Sequence, residues 1–263
     1  MPGPVAVTWV GGSRLLVVPG MTGATGNIYV GLHEFEEMAF VTHLLRAGDL
    51  FLDIGANIGS YTVLASAVAG AHCLSFEPYP ATFRRLEDNL RLNALEHLVT
   101  PRRLALGEAV GELQFTASLD TVNHVLTPNE TSATDSVTVP VATLDAELCE
   151  RVPTVIKIDV EGYETSVLNG ASKTLGEGSL LAVVMELNGS GERYGFRDRD
   201  LHARMLSSGF APFRYSPFDR QLRALPESQC PTGNGVYVRC TQVGEVRRRL
   251  SDAPPLEVKG VLV

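Results

Sequence analysis

The chain has 263 residues, of which 44% are hydrophobic, 7% aromatic and 20% charged, enough apolar mass for one substantial core and the wrong composition for a disordered or collagen-like polymer. Its 22 Lys and Arg against 30 Asp and Glu leave a formal net charge of -8, and a surface of that sign repels a phosphate backbone, which excludes nucleic acid as the main partner. The cysteines at 73, 149, 230 and 240 form no C-x-x-C pair and have no histidine at zinc-site spacing, so buried reduced thiols are expected rather than a metal fold or a disulfide scaffold.

Residues 1–20 carry no basic segment leading into a long apolar run, and the densest apolar stretch, 180–185, is too short to cross a bilayer. These features predict a soluble, cytoplasmic protein without a membrane partner. Residues 14–18 and 27–30 read as the two strands of an N-terminal hairpin, and a helix with Phe35, Met38, Val41 and Leu45 on one face follows, stopping near Gly48. Apolar strands then alternate with helices, the strands at 50–54, 72–77, 100–104, 155–159 and 180–187. That rhythm indicates an α/β fold whose mostly parallel sheet is covered on both faces. The helix after Pro80 presents Phe83, Leu86 and Leu90, and the one after Gly162 presents Tyr163, Val167, Ala171 and Leu175. The expected division is a hairpin-and-helix extension over 1–48, a main domain over 49–240, and a tail over 241–263 whose Arg247, Arg248 and Arg249 read as a solvated helix face. Two polar stretches, 116–135 and 188–199, fit the rhythm poorly and are read as loops.

The run Asp53-Ile54-Gly55-Ala56-Asn57-Ile58-Gly59 follows the first of these strands and opens a helix containing Tyr61 and Leu64, the strand-to-helix turn at which nucleotide-like ligands bind in open α/β sheets. Glu77 comes 18 residues after Gly59, at the end of the next strand, where a carboxylate accepts hydrogen bonds from both hydroxyls of a ribose. The turn reads D-x-G-x-N-x-G, not G-x-G-x-x-G. An acid at its first position disfavours a pyrophosphate and suits the sulfonium and ammonium groups of S-adenosylmethionine. No tyrosine has a lysine four residues later, and the run from Gly170 to Thr174 lacks the glycine that precedes the lysine of a P-loop.

Together with Phe76-Glu77-Pro78, Ala105-Leu106-Gly107 and the run Ile156-Lys157-Ile158-Asp159-Val160-Glu161-Gly162-Tyr163-Glu164, this turn resembles the FkbM-type family of S-adenosylmethionine-dependent methyltransferases, over roughly residues 34–187. The resemblance implies a class I methyltransferase: a Rossmann-like, seven-stranded, mostly parallel sheet with helices on both faces and an antiparallel last strand, the final strands lying near 210–215 and 235–240. It further implies that Asp53, Gly55, Asn57 and Gly59 hold the methionine end of the cofactor, that Glu77 holds its ribose, and that Ala105 and Leu106 lie near the adenine. An apolar pair at that last position serves equally well as core.

Methyl transfer to a hydroxyl needs the acceptor oxygen in line with the methyl–sulfur bond and a group that takes the proton. Lys157, Asp159 and Glu161 alternate along the fourth strand and its exit, so they share one face. They are either catalytic or an ion pair that shapes the site. His124, in the polar loop, is a candidate base with the alternative of a plain exposed histidine. Asn123, Glu186 and Asn188 are candidates for binding acceptor hydroxyls. Asp159, Glu161 and Glu186 offer oxygens to magnesium but have no diagnostic spacing, so no metal is expected. The aromatics of 193–196 and 213–215 are either sugar platforms or core edges. The expected function is O-methyl transfer to a sugar, glycoside or other small polyhydroxylated metabolite. N-methylation of an amino sugar, a NAD-dependent oxidoreductase and a non-catalytic scaffold are the alternatives.

Overall fold

The computed structural model describes residues 3–18, 22–117, 123–127 and 135–263. Strands β1 (Val5–Thr8) and β2 (Arg14–Val17) pair antiparallel, and helix α1 (Thr22–Val30) follows. The N-terminal hairpin therefore exists, but the partner of 14–17 lies upstream, and residues 27–30, expected as a strand, are helical. Their alternation is overridden by a helix stop: Gly31 at φ 90 donates its N–H to the Asn27 carbonyl at 2.9 Å, and the Asn27 side chain accepts from the N–H of His33 at 2.9 Å. Helix α2 (Phe35–Leu44) buries Met38, Phe40, Val41 and Leu44.

The chain continues as β3 (Leu50–Ile54), α3 (Ser60–Val63) running on through a wider turn at Leu64–Val68, β4 (His72–Phe76), α4 (Pro80–Leu92), β5 (Val99–Arg102), β6 (Ala105–Leu106), β7 (Gly111–Thr116), β8 (Ser136–Ala142), α5 (Leu144–Leu148) and β9 (Val155–Ile158). It ends with α6 (Glu164–Asn169), α7 (Ser172–Gly176), β10 (Ala182–Leu187), α8 (Asp198–Ser207), β11 (Phe210–Ser216), β12 (Gln221–Ala224), β13 (Gly233–Arg239), α9 (Val243–Ser251), β14 (Glu257–Val258) and β15 (Val261–Leu262).

The main sheet, among the described residues, has eight strands in the order β12-β11-β13-β10-β9-β3-β4-β5. Strands β5, β4, β3, β9 and β10 run parallel and β13 runs antiparallel to both neighbours. The eighth strand, β12, replaces the expected count of seven. It is a short edge strand returned by a tight turn with Arg220 at φ 56, too brief to show a period of its own. The polar stretch 116–135 hides a second departure, because its flanks belong to β7 and β8, which pair antiparallel in a small separate sheet with β6.

Alternation along the strands divides the core between two faces. Phe51, Cys73, Val155 and Val184 pack with Phe40, Leu86 and Leu250 on one face, whereas Leu52, Leu74, Ile156 and Val183 pack with Leu148, Val167 and Met205 on the other. The helix expected after Gly162 is broken into α6 and α7 where the chain comes closest to the loop after β6: a Cβ on Gly170 would sit 2.1 Å from the Gly107 carbonyl oxygen. Arg249, expected on a solvated face, is 19% exposed and bridges Asp49 at 2.6 Å and Glu245 at 2.9 Å, which docks α9 against the chain entering β3. Of the free cysteines only Cys73 is buried, because Cys149 and Cys240 fall at exposed element ends.

Candidate active site

The carboxyl ends of β3, β4, β9 and β10, with the chain that follows β5, open into one cavity lined by Gly55, Asn57, Glu77, Leu106, Asp159 and Glu186. Neighbouring strands stand about 4.8 Å apart, so the sheet order sets the layout. Residues 104–106 lie beyond β5, Glu77 follows β4, the glycine turn follows β3, Lys157 and Asp159 belong to β9 and its exit, and Glu186 belongs to β10.

The turn is tight because β3 and β9 nearly touch there. Gly55 has φ 79, and a Cβ on it would lie 1.7 Å from the Asp159 carbonyl oxygen. The N–H groups of Gly55 and Ala56 both donate to the Phe76 carbonyl, at 3.0 and 2.9 Å, which pins the turn to β4. Glu77 completes the arrangement: its Oε2 accepts from the Asn57 N–H at 3.0 Å and its Oε1 from the Tyr79 N–H at 2.9 Å. Burial pushes this carboxyl up to about 7 despite those two bonds. Its remaining lone pairs are available to hydroxyl donors.

Asp53 does not reach the mouth where an acid was expected. It is wholly buried, its Oδ2 accepts from the N–H and hydroxyl of Thr62 at 3.0 and 2.6 Å, and it is absent from the cavity wall. Asp53 is the register partner of Lys157 across β3 and β9, but Lys157 reaches the cavity whereas the short Asp53 side chain is held under α3 by Thr62. Lys157 is 5% exposed, lies 3.0 Å from Asp159 Oδ2 and stands 5.0 Å from the centre of the Tyr61 ring. Burial alone would lower its ammonium, but Asp159, Asp53 and Glu34 hold it above the usual lysine range.

Strand β9 ends at Ile158, so Glu161 does not continue the alternation as expected; it enters the site from a left-handed turn at φ 55. Glu164 secures that turn by accepting from the N–H groups of Val160 and Gly162 at 3.1 and 3.2 Å. Oxygens of Asp159, Glu161 and Glu186, the three acids named from sequence as able to offer oxygens to magnesium, converge within 4.8 Å of one another, an arrangement that an oxygen-preferring cation accepts. Burial, then Asp159 and Glu161, push Glu186 up to about 9, while burial and Asp159 push Glu161 up to about 7. Glu186 Oε2 is buried without a hydrogen-bond partner among the described residues.

Ala105, Leu106 and Asn123 line the cavity, and Thr116 donates its hydroxyl to Asn123 Oδ1 at 3.1 Å. His124 is 6% exposed and sits beside the cavity rather than on its wall; its N–H is held by the Thr116 hydroxyl at 2.9 Å. Asn188 is exposed and turned away, accepting from the Ser190 N–H at 2.8 Å to start the next helical turn. Tyr194 is also off the wall: it donates to the Val125 carbonyl at 2.6 Å and meets the cavity-lining Tyr163 edge-on at 5.4 Å. Tyr215 lies in the core, with its hydroxyl 2.7 Å from His43 Nδ1. The remaining members of the predicted loop, residues 118–122 and 128–134, lie outside the described residues.

Sequence reading missed an entire wall. Asn27, His33, Glu34 and Met38 line the cavity. Asn27 donates to the Ser60 hydroxyl at 3.2 Å, and Glu34 Oε2 accepts from the Tyr61 hydroxyl. No motif marks these residues, and only the fold brings them over the turn.

A family model described as the methyltransferase FkbM domain matches residues 53–211. The chain belongs to the FkbM methyltransferase family. The match begins at Asp53 and spans Glu77, Lys157, Asp159, Glu161 and Glu186, so it contains the strands that build the cavity floor but not the wall made by residues 27–38. Hexuronic acid methyltransferase AglP of Haloferax volcanii is 34% identical over 131 residues, 48% of this chain and 52% of that protein. The chain thus spans about half the length of this curated relative. The solved structure of methyltransferase FkbM from Methylobacillus flagellatus KT superposes with a TM-score of 0.50 at 19% identity, over 76% of this chain and 47% of the other, a likeness of fold. Among the described residues, no helix is long and apolar enough to cross a membrane.

Proposed function

We propose that this FkbM-family protein transfers a methyl group from S-adenosylmethionine to a hydroxyl of a glycosyl or similarly polyhydroxylated acceptor. The observation that carries the donor is Glu77, a carboxylate fixed by two main-chain N–H groups at the end of β4, beside a glycine turn with no room for side chains. When bound, S-adenosylmethionine supplies an electrophilic methyl group on a sulfonium. Glu77 then accepts from the ribose hydroxyls, the 55–59 turn carries the methionine portion, and Ala105 with Leu106 covers the adenine. The acceptor belongs on the β9–β10 side. There Asp159, held by Lys157 at 3.0 Å, would take the hydroxyl proton as the acceptor oxygen bonds to the methyl carbon, the methyl–sulfonium bond breaks and S-adenosylhomocysteine leaves as a neutral thioether. The relative's action on a hexuronic acid supports a sugar acceptor.

The test is calorimetric titration with S-adenosylhomocysteine against NAD as control, followed by a panel of neutral, acidic and amino glycosides with radiolabelled donor. Micromolar-class binding of S-adenosylhomocysteine, about -8 kcal/mol, with label appearing on oxygen, is expected. Binding of NAD alone overturns the donor, and label on nitrogen overturns the acceptor atom. The convergence of Asp159, Glu161 and Glu186 within 4.8 Å favours a second reading, a divalent cation that lowers the acceptor's pKa. Turnover that survives exhaustive chelation rejects it.

A further inference from the structure

The donor named above carries an ammonium group on its methionine portion, and the acid expected to face it, Asp53, is buried with its Oδ2 on Thr62 and is not on the cavity wall. Among the described residues, the carboxylates on the cavity wall are Glu34, Glu77, Asp159, Glu161 and Glu186. Glu77 stands over β4, on the ribose side. Asp159 is paired with Lys157 and clustered with Glu161 and Glu186 over β9 and β10, on the acceptor side. Of these, Glu34 stands at the intervening position. It is bound through Oε2 to the hydroxyl of Tyr61, in the helix that the glycine turn opens, and the Tyr61 ring in turn faces Lys157 across the β3–β9 boundary.

We infer that Glu34 binds the ammonium group of the donor's methionine portion, making the N-terminal segment a part of the donor site. This rests on the S-adenosylmethionine reading. An ammonium has three N–H donors and no acceptor, so it pairs best with a carboxylate already oriented by another bond, which is what the Tyr61 hydroxyl does for Glu34. Asn27 and His33 flank the same position, and Asn27 is anchored to Ser60 at 3.2 Å, so the wall is tied to the turn at two points.

The test compares wild type with Glu34→Gln, which retains an acceptor for Tyr61, using three ligands. These are S-adenosylhomocysteine, its analogue lacking only the α-amino group, and 5′-methylthioadenosine, which lacks the amino-acid portion. The substitution should weaken S-adenosylhomocysteine about tenfold or more and leave the other two within about twofold of wild type. Equal losses on all three ligands, or no loss on S-adenosylhomocysteine, overturn the assignment. A wild type that binds none of the three overturns the donor reading instead, so the two failures are distinct.

Discussion

Glu77 and Glu186 stand at the carboxyl ends of two strands of one sheet, yet the protein holds them by different means. Both oxygens of Glu77 are met by main-chain N–H groups, at 3.0 and 2.9 Å, whereas Glu186 has a buried oxygen with no such partner and two other carboxylates within 4.8 Å. The half proposed to hold the donor is therefore preorganised by backbone N–H groups. The half proposed to hold the acceptor is organised by charge: one lysine against a cluster of acids, with burial and repulsion lifting Glu186 to about 9. A ligand meets fixed geometry on one side and a store of shared protons on the other.

The largest effect that separates the halves is expected at Asp159. Asp159→Asn removes the proton acceptor and leaves the glycine turn intact, so turnover should fall by about 10²- to 10⁴-fold while S-adenosylhomocysteine binds as in wild type. Rapid-quench turnover and calorimetry on the same preparation read both quantities. Near-normal turnover would move the proton to another group, and a parallel loss of binding would erase the boundary between the halves. Next in size is Glu77→Gln, which keeps the volume but loses the charge and one acceptor oxygen. Loss of one charge-assisted bond to a ribose hydroxyl, worth about 1.5–3 kcal/mol, makes a loss of affinity of about 10- to 100-fold the expected result, read by titration alongside a melting curve that shows the fold retained.

How much of this was legible follows the same line. The 53–59 turn, Glu77 and the central strands were readable because local rules produce them: a tight turn needs glycine, and a covered parallel strand needs a continuous apolar run. The burial of Asp53 was not readable, because it depends on how α3 packs back on β3 to bring Thr62 onto the carboxylate. The same holds for Glu161, whose place comes from a turn at φ 55 rather than from strand alternation, and for Asn188, diverted by the hydroxyl-bearing Ser190 two positions on. Asn27 sits on α1 and Glu34 just before α2, with no motif to mark either, and only tertiary packing brings them to Ser60 and Tyr61.

The smallest expected effect is the sharpest probe of how Glu77 is held. Burial raises its folded value to about 7, above the ordinary 4.5, so the folded protein without ligand keeps a proton there that the unfolded chain has released. The sign follows from linkage: this group's contribution to stability is fully present below 4.5 and is lost as pH rises through 7. Ligand binding runs the other way, because ribose hydroxyls donate to the ionised form. Affinity for S-adenosylhomocysteine should therefore fall about tenfold per pH unit below 7 and level off above it. Titrations from pH 5.5 to 8.5 in wild type and Glu77→Gln read this directly, and the variant should show no slope. A wild-type slope steeper than one proton would mean that the crowded acids near Glu186 release protons on donor binding too, and that the two halves titrate as one site. A flat profile would mean that the two N–H bonds outweigh burial and keep Glu77 ionised throughout.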